Sequence, residues 1–320
     1  MSLPLIGALG FAIVILLCLL RLPVAIAMGV VGFAGLGLTS GFDTSGFMLG
    51  RATFEAVFPY SLSIVPLFIA MGVFAGHAGL SQSLYAFVAA LVGHLRGGLA
   101  MATVGGCAIF GAVSGSGIAT TATMGRVALP EMRRHGYADT LATASVAAGG
   151  TLGVMIPPSI LFVIYGLATE QSIGKLFLAG VLPGILGMFL YSLAVAWSVR
   201  RRADAGPAGE RRNWAERLAA LRAVWQVALL FGVVLGGLYL GWFSPTEAAA
   251  VGAFGAMLLA ALRGRLTRRA LANGVAETAL TSGMIFMILI GAGIFNAFVE
   301  STGMTDAMIE FVRELGWSRW

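Results

Sequence analysis

Charged side chains are scarce in this sequence of 320 residues, of which 11% are charged and 58% are hydrophobic. The mean hydropathy is +0.92. A soluble globule of this size needs far more charge to cover its surface. The shortage therefore excludes a soluble protein. The long apolar runs instead predict an all-α polytopic membrane protein.

Lysine and cysteine are also rare, and each shortage removes a class of function. Lys175 is the only lysine, and the arginines cluster in short segments, so the net charge of +6 reflects membrane topology. A nucleic-acid partner is not expected, because no continuous basic face with interleaved aromatic residues occurs. Cys18 and Cys107 lie in apolar runs without the spacing of a metal site, and the three histidines fall at the ends of predicted spans. We therefore expect packing cysteines, no organic cofactor, and no zinc or iron–sulfur site.

Arginine clusters orient the predicted spans, because positive residues collect on the cytoplasmic side. Residues 40–58 are expected at the outer interface, and residues 81–95 as an amphipathic helix along the inner surface. A polar linker with seven arginines lies between residues 200 and 222. The predicted spans are 3–20, 24–38, 59–78, 139–172, 173–199, 224–242, 247–262 and 279–299.

The stretch 111–159 concentrates hydroxyls and helix breakers inside apolar surroundings. Two apolar arms, 99–113 and 118–129, flank the sequence SGSG, and both outer ends are basic. An arm of about 14 helical residues reaches only ~21 Å, which is short of the ~30 Å hydrocarbon core. The arms therefore predict a re-entrant hairpin. The sequence IPPS that follows at 156–159 predicts a discontinuous helix.

An internal repeat relates the two halves of the chain. Residues 79–91 align with 303–315 at an offset of 224, and residues 27–32 align with 250–255 at an offset of 223. The two units start on opposite sides of the membrane, which predicts the inverted repeats of secondary transporters. We assign 1–222 to a first repeat, with scaffold spans, surface helix, hairpin, broken helix and linker. Residues 223–320 form an incomplete second repeat, for which we expect about a hundred further residues with a second hairpin.

Irregular backbone at membrane depth occurs only where it packs against protein or lines a water-filled cavity. In such a cavity, carbonyl and hydroxyl oxygens can bind Na⁺, and helix N-termini can bind a carboxylate. The hydroxyls at the hairpin tip and the IPPS break therefore predict a binding site. For Thr121 and Thr123, ordinary helix packing is an equal alternative. Arg126 either meets an acidic substrate or extends to the interface. The tip hydroxyls belong to Ser114, Ser116, Thr120, Thr121 and Thr123.

Two other classes are alternatives. An intramembrane hydrolase needs a glycine two residues before its serine and a histidine or lysine at membrane depth. The residue two positions before Ser114 is Ala112, and the residue two positions before Ser116 is Ser114, so neither serine has the required glycine. The histidines lie at the ends of the predicted spans. We therefore do not expect an enzyme. A channel-like pore is the other alternative, although the repeat and the hairpin favour alternating access.

The sequence GAVSGSGIATTATMG, followed by LPEM, AAGGTLGVMIPPSI, AGVLPG and SPTEAAAVGA, resembles the large membrane subunit of the tripartite ATP-independent periplasmic (TRAP) transporters. The resemblance runs along the whole chain. It implies an elevator-type, Na⁺-coupled symporter in the bacterial inner membrane that imports a small carboxylate, such as a C4-dicarboxylate or another organic or sugar acid. It also implies two protein partners, a small membrane subunit and a periplasmic substrate-binding protein.

Carried onto this chain, the resemblance implies that Ser114, Ser116 and Ser159 face the substrate, and we assign Thr120, at the same tip, to the substrate as well. A sodium ion would be held by backbone around the hairpin tip and the residues before the helix break. These sodium candidates are Gly115, Gly150, Thr151, Gly153 and Pro157.

Overall fold

The computed structural model describes residues 2–202 and 204–314, and these residues form fifteen α-helices and one short 3₁₀ turn at Tyr60–Ser63, with no strand among them. The all-α prediction is confirmed. The helices are α1 (Leu3–Leu19), α2 (Val24–Ser40), α3 (Phe42–Val57), α4 (Ile64–His77), α5 (Leu80–Val92), α6 (Gly98–Ser114), α7 (Gly117–Arg134), α8 (Asp139–Met155), α9 (Ile160–Ala168), α10 (Ile173–Arg201), α11 (Trp214–Ala223), α12 (Trp225–Tyr239), α13 (Pro245–Leu262), α14 (Arg268–Ser301) and α15 (Met304–Glu314).

Within the described parts of the chain, five helical segments are long and apolar enough to cross a membrane. They are Tyr60–His77, Asp139–Ala168, Ile173–Arg201, Pro245–Leu262 and Arg268–Ser301, and the pair α11 and α12, bent by 47°, gives a sixth if it is one span. The apolar helices α1 and α2 have 17 residues each, or about 25 Å at 1.5 Å per residue. Their crossing of the bilayer stays a prediction.

One compact unit contains residues 2–62 and 280–314. Its apolar core joins α1 and α2 to the C-terminal half of α14, where the Phe298 ring is 1% exposed. Gly32 lies against the backbone of α14: a Cβ at this position would stand 2.7 Å from the Phe295 nitrogen. Glycine therefore allows the two helices to approach closely at this position.

The other compact unit, residues 63–279, is built around α6. Fifteen of the 17 residues of α6 are buried, because α4, α5, α7, α8 and α10 all pack against it. Its sequence, GLAMATVGGCAIFGAVS, supplies small side chains that let these neighbours approach. This central helix carries Ser114 at its C-terminal end.

Arg263 joins the ends of several helices in this second unit. It caps the C-terminus of α13, and its Nη1 donates to the Ala78 carbonyl at 3.1 Å, at the end of α4. Its Nε donates to Gln226 Oε1 at 2.6 Å, and its Nη2 lies 3.5 Å from the Ala223 carbonyl at the end of α11. A guanidinium at helix C-termini also interacts favourably with the helix dipoles. Arg263 therefore ties α4, α11, α12 and α13 together.

Two helices differ from the sequence prediction. The predicted span 279–299 begins eleven residues earlier, at Arg268, because Thr267 Oγ1 accepts a hydrogen bond from the Ala270 nitrogen at 3.1 Å and starts the helix. The polar linker contains α11, whose start is stabilised by a capping box between Asn213 and Glu216.

A capping box stabilises the start of α13. The Ser244 nitrogen donates to Glu247 Oε2 at 2.7 Å, and the Glu247 nitrogen donates to Ser244 Oγ at 3.3 Å. This glutamate is therefore accounted for by helix capping.

The repeated segments begin in the same way. The helix α4 ends at His77, and α14 ends at Ser301, 224 positions later. Gly79 and Gly303 follow, with φ of 73° and 63°, and each immediately precedes a short helix, α5 or α15. Leu315, the last residue of the aligned segment, lies outside the described residues. The opposite orientation of the repeats in a membrane, and their boundaries, stay predictions.

Candidate functional site

The hairpin tip is a two-residue connection between α6 and α7. Gly115 has a left-handed backbone, with φ of 62°, and its nitrogen donates to the Gly111 carbonyl at 2.7 Å. Ser116 is extended, and its Oγ accepts a hydrogen bond from the Ala119 nitrogen at 3.3 Å. The SGSG sequence thus ends one helix with a left-handed glycine and starts the next with a serine N-cap.

Two of the tip hydroxyls are paired with each other. Ser114 Oγ and Thr120 Oγ1 lie 2.7 Å apart, and these residues are only 2% and 0% exposed. Ser114 Oγ also lies 3.3 Å from the Ser116 carbonyl. This arrangement satisfies buried polar groups, and the oxygens can also act as ligands once their mutual hydrogen bond is exchanged.

The predicted helix break separates α8 from α9, with Ile156 and Ser159 extended. Pro157 and Pro158 have no N–H, so the carbonyls of Gly153 and Val154 lack their usual i+4 donors. Ser159 Oγ donates to the Val154 carbonyl at 2.7 Å and replaces one of them. The Ser159 side chain, in a residue that is 0% exposed, therefore completes the end of α8.

The hairpin tip lies against this break. The Ile160 nitrogen, at the start of α9, donates to the Gly115 carbonyl at 3.2 Å. A Cβ at Gly115 would stand 2.9 Å from the Pro158 carbonyl oxygen. The contact is therefore made by backbone atoms, and glycine allows the two irregular segments to meet.

Further glycines bring α7 and α8 together beside the tip. A Cβ at Gly117 would stand 3.1 Å from the Gly150 carbonyl oxygen. A Cβ at Gly153 would stand 2.6 Å from Thr120 Oγ1 and 3.0 Å from the Ser116 carbonyl oxygen. The predicted substrate and sodium residues are thus close to one another along this contact. What they bind stays a prediction.

Thr151 differs from its neighbours, because its side chain points to α10. Its Oγ1 lies 3.1 Å from Tyr191 Oη and donates to the Ala148 carbonyl at 2.7 Å, and the residue is exposed. The hydroxyl is therefore not directed at the tip. Pro157 is buried at the break itself.

The contacts of Arg126, His77 and His135 do not involve these hydroxyls. The exposed Arg126 Nε donates to the Ala122 carbonyl of its own helix at 3.3 Å. His135 Nδ1 lies 2.9 Å from the Glu131 carbonyl oxygen, and His77 Nε2 lies 3.9 Å from Glu277 Oε2. Within residues 2–202 and 204–314, no group of three or more His, Cys, Asp or Glu side chains could hold a metal ion.

Two residues that support the hairpin were missed by sequence reasoning. Gly72 of α4 lies under the tip: a Cβ there would stand 2.6 Å from Ser114 Cα. Tyr137, between α7 and α8, accepts a hydrogen bond from the Leu99 nitrogen at 3.1 Å and donates to the Pro207 carbonyl at 3.0 Å. The pKa of Tyr137 is raised, because the effect of burial outweighs the opposing effect of the Leu99 hydrogen bond. Neither residue stands out locally, because both act across long sequence separations.

The linker is attached to the base of the hairpin at the same place. The Gly97 nitrogen donates to the Gly206 carbonyl at 2.9 Å, the Ala138 nitrogen to the Ala205 carbonyl at 3.0 Å, and the Gly209 nitrogen to the Gly93 carbonyl at 3.1 Å. Together with Tyr137, these bonds fix the segment 205–209 against both arms.

Comparison with known proteins gives a consistent result. Residues 11–320 match the family model described as the tripartite ATP-independent periplasmic transporter, DctM component. The chain is 38% identical over 269 residues to the C4-dicarboxylate TRAP transporter large permease protein DctM of Pseudomonas aeruginosa, covering 83% of this chain and 62% of that protein.

Two further relatives extend this similarity. The chain is 38% identical over 283 residues to the isethionate TRAP transporter permease protein DctMQ of Oleidesulfovibrio alaskensis, covering 86% of this chain and 43% of that protein. It is 34% identical over 328 residues to the large permease DctM of Rhodobacter capsulatus, covering 97% and 73% of the two chains. The chain therefore spans less than two thirds of the first two relatives.

Proposed function

This chain belongs to the DctM component family of the tripartite ATP-independent periplasmic transporters, and we propose that it acts in the Na⁺-coupled import of a small carboxylate. The matched relatives carry names with different cargoes, a C4-dicarboxylate and isethionate, both organic acids. We therefore propose an organic or sugar acid as the substrate class. In this proposal the chain lies in the bacterial inner membrane.

The contact between the Gly115 carbonyl and the Ile160 N–H is the observation that carries this proposal. It supports a site in which a hairpin tip and a helix break present backbone groups to a ligand. In transporters, anionic groups bind at half-helix N-termini, and carbonyls of unwound backbone bind the coupling ion.

The chemistry of the residues divides the proposed site into two parts. Ser116 offers a hydroxyl that can donate to a carboxylate, and Ser114, Thr120 and Ser159 can do so once their present hydrogen bonds are exchanged. Na⁺ would be held by backbone oxygens around Gly115, Gly150, Thr151, Gly153 and Pro157. The Gly153 carbonyl is a suitable ligand, because proline at position 157 removes its usual donor. At Thr151 the backbone, rather than the hydroxyl, would contribute, because Thr151 Oγ1 lies 3.1 Å from Tyr191 Oη.

We further propose elevator-type alternating access, with the hairpin and the broken helix moving together. Their extensive contact through small residues supports movement as one body. The proposed partners are a small membrane subunit and a periplasmic binding protein that delivers the substrate.

Uptake by proteoliposomes tests this function. The full-length protein should be reconstituted with both partners, and succinate, sialic acid and isethionate should be offered on the loaded binding protein with and without a Na⁺ gradient. We expect uptake only with the gradient, and strongly reduced uptake for Ser114→Ala. Ser192→Ala, which changes a hydroxyl of α10 bonded to its own helix at 2.8 Å, is the matched control. Uptake independent of Na⁺ would contradict the coupling, and single-channel conductance would favour the pore.

A further inference from the structure

An apolar cavity of about 420 Å³ lies between α5, α6, α10 and the bent pair α11 and α12. Every residue that lines it is apolar. Phe87, Ala112 and Met188 belong to three of its walls, and Ala228 of α12 belongs to another. The cavity also reaches Ile156 at the helix break. A site of this kind attracts a hydrocarbon ligand.

Arg217, a cationic residue, lies one helical turn before a residue that lines this cavity. Leu221 of α11 lines the cavity, and Arg217 precedes it by four residues, on the same face of the helix. Arg217 Nε and Nη2 are buried and have no hydrogen-bond partner among the described residues. The guanidinium carbon lies 5.3 Å from the centre of the Trp214 ring. Buried guanidinium nitrogens without acceptors are costly, and a phosphate is one of the anionic groups that a guanidinium binds through two parallel hydrogen bonds.

The cavity is a partly open groove whose volume of about 420 Å³ suits a narrow occupant. A helix is about 10 Å wide and would be seated in it only in part. An extended acyl chain is much narrower and would fit along its length. The neighbouring arginines, Arg211, Arg212, Arg217 and Arg222, belong to the segment that the sequence places at the cytoplasmic surface.

We propose that this cavity binds an acyl chain of an inner-leaflet phospholipid, whose phosphate is held by Arg217. The hydrocarbon walls select the chain, and the guanidinium selects the anionic headgroup. The site differs from the proposed substrate site in its chemistry and does not depend on which acid is carried. A lipid here would fill the space between the helix break and the bend at Val224.

Native mass spectrometry of the full-length protein tests this proposal. Protein stripped of lipid by detergent would be titrated with 16:0/18:1 phosphatidylglycerol, and we expect one tightly held lipid per chain. Ala228→Trp fills the cavity and should weaken binding at least tenfold. Leu229→Trp places the same indole at the adjacent exposed position, which does not line the cavity, and should have no effect.

The headgroup contact is tested separately. Arg217→Gln should weaken binding about tenfold, because a hydrogen bond to a charged group is lost. Arg222→Gln, an exposed arginine on another face of the same helix, is the matched control. Circular dichroism checks that each variant is folded, and Arg217→Lys should restore part of the affinity, since it keeps the charge.

Several outcomes would overturn the proposal. Equal phosphatidylglycerol binding by wild type and Ala228→Trp would exclude the cavity, as would equal weakening by Leu229→Trp. Palmitate bound as tightly as the phospholipid, with no effect of Arg217→Gln, would exclude headgroup recognition. Inorganic phosphate competing fully for the site would identify a free anion as the ligand. Loss of the small membrane subunit from Ala228→Trp, with lipid binding unchanged, would assign the cavity to a protein partner.

Discussion

Replacing Gly115 by alanine tests the contact between the hairpin tip and the helix break. Two costs follow from the geometry. The left-handed backbone, with φ of 62°, disfavours a Cβ by about 1–2 kcal/mol. The Cβ would also stand 2.9 Å from the Pro158 carbonyl oxygen, and such overpacking costs about 1–3 kcal/mol. We expect Gly115→Ala to lower the free energy of unfolding by about 2–5 kcal/mol.

Gly136→Ala is the matched control. Gly136 also has a left-handed backbone, with φ of 73°, but a Cβ there would meet nothing within 4 Å. This variant should therefore lose only about 1–2 kcal/mol. The effect of alanine on the unfolded chain is shared by both variants and cancels in the comparison.

The difference between the two variants, about 1–3 kcal/mol, measures the steric contact with the break. It can be determined by titrating dodecyl sulfate into mixed micelles and following the helical signal by circular dichroism. If Gly115→Ala is no less stable than Gly136→Ala, the tip does not pack against the break in solution, and the proposed site loses its basis.

Three further predictions concern hydroxyls and a guanidinium that join separate segments. Ser159→Ala leaves the Val154 carbonyl without this donor and should lower the free energy of unfolding by about 1–3 kcal/mol in the same titration. Ser192→Ala, whose hydroxyl bonds within an intact helix, should lose less. Equal losses would count against the capping role of Ser159. Tyr137→Phe removes the hydrogen bond to the Pro207 carbonyl and should increase cleavage of the linker by trypsin about tenfold. Tyr165→Phe, at an exposed site, should leave cleavage unchanged. If Tyr137→Phe is as resistant to trypsin as the wild type, Tyr137 does not anchor the linker. Arg263→Lys loses the fork of donors and should lower the free energy of unfolding by about 1–3 kcal/mol. The same exchange at the exposed Arg200 should cost almost nothing. An unchanged Arg263→Lys midpoint would show that the charge alone suffices.

Local chemistry allowed much of this fold to be predicted. Two consecutive prolines interrupt a helix wherever they occur inside it, so the break at 156–159 follows from the sequence. The SGSG tip follows similarly, because a left-handed glycine and a serine N-cap end and start helices. The capping box of α13 has a fixed spacing, from Ser244 to Glu247, and is readable from the sequence for the same reason.

Features that depend on packing could not be predicted in this way. Gly72 packs beneath Ser114 across about forty residues of sequence, and many other glycines look the same locally. The direction of Thr151 depends on how α8 is rotated between its neighbours. By contrast, α11 carried a readable signal, the Asn213 and Glu216 capping box, which the charge of the linker obscured.

The hydrogen bond from Ile160 to Gly115 uses only main-chain atoms, and this has a consequence for mutational scanning. Truncating the side chain of Ile160 leaves the donor in place, so an alanine scan of α9 would miss the most direct contact between the two segments. Only a residue without an N–H, or an ester in place of the amide, removes it. Side chains around the contact can accordingly be exchanged while this hydrogen bond is kept.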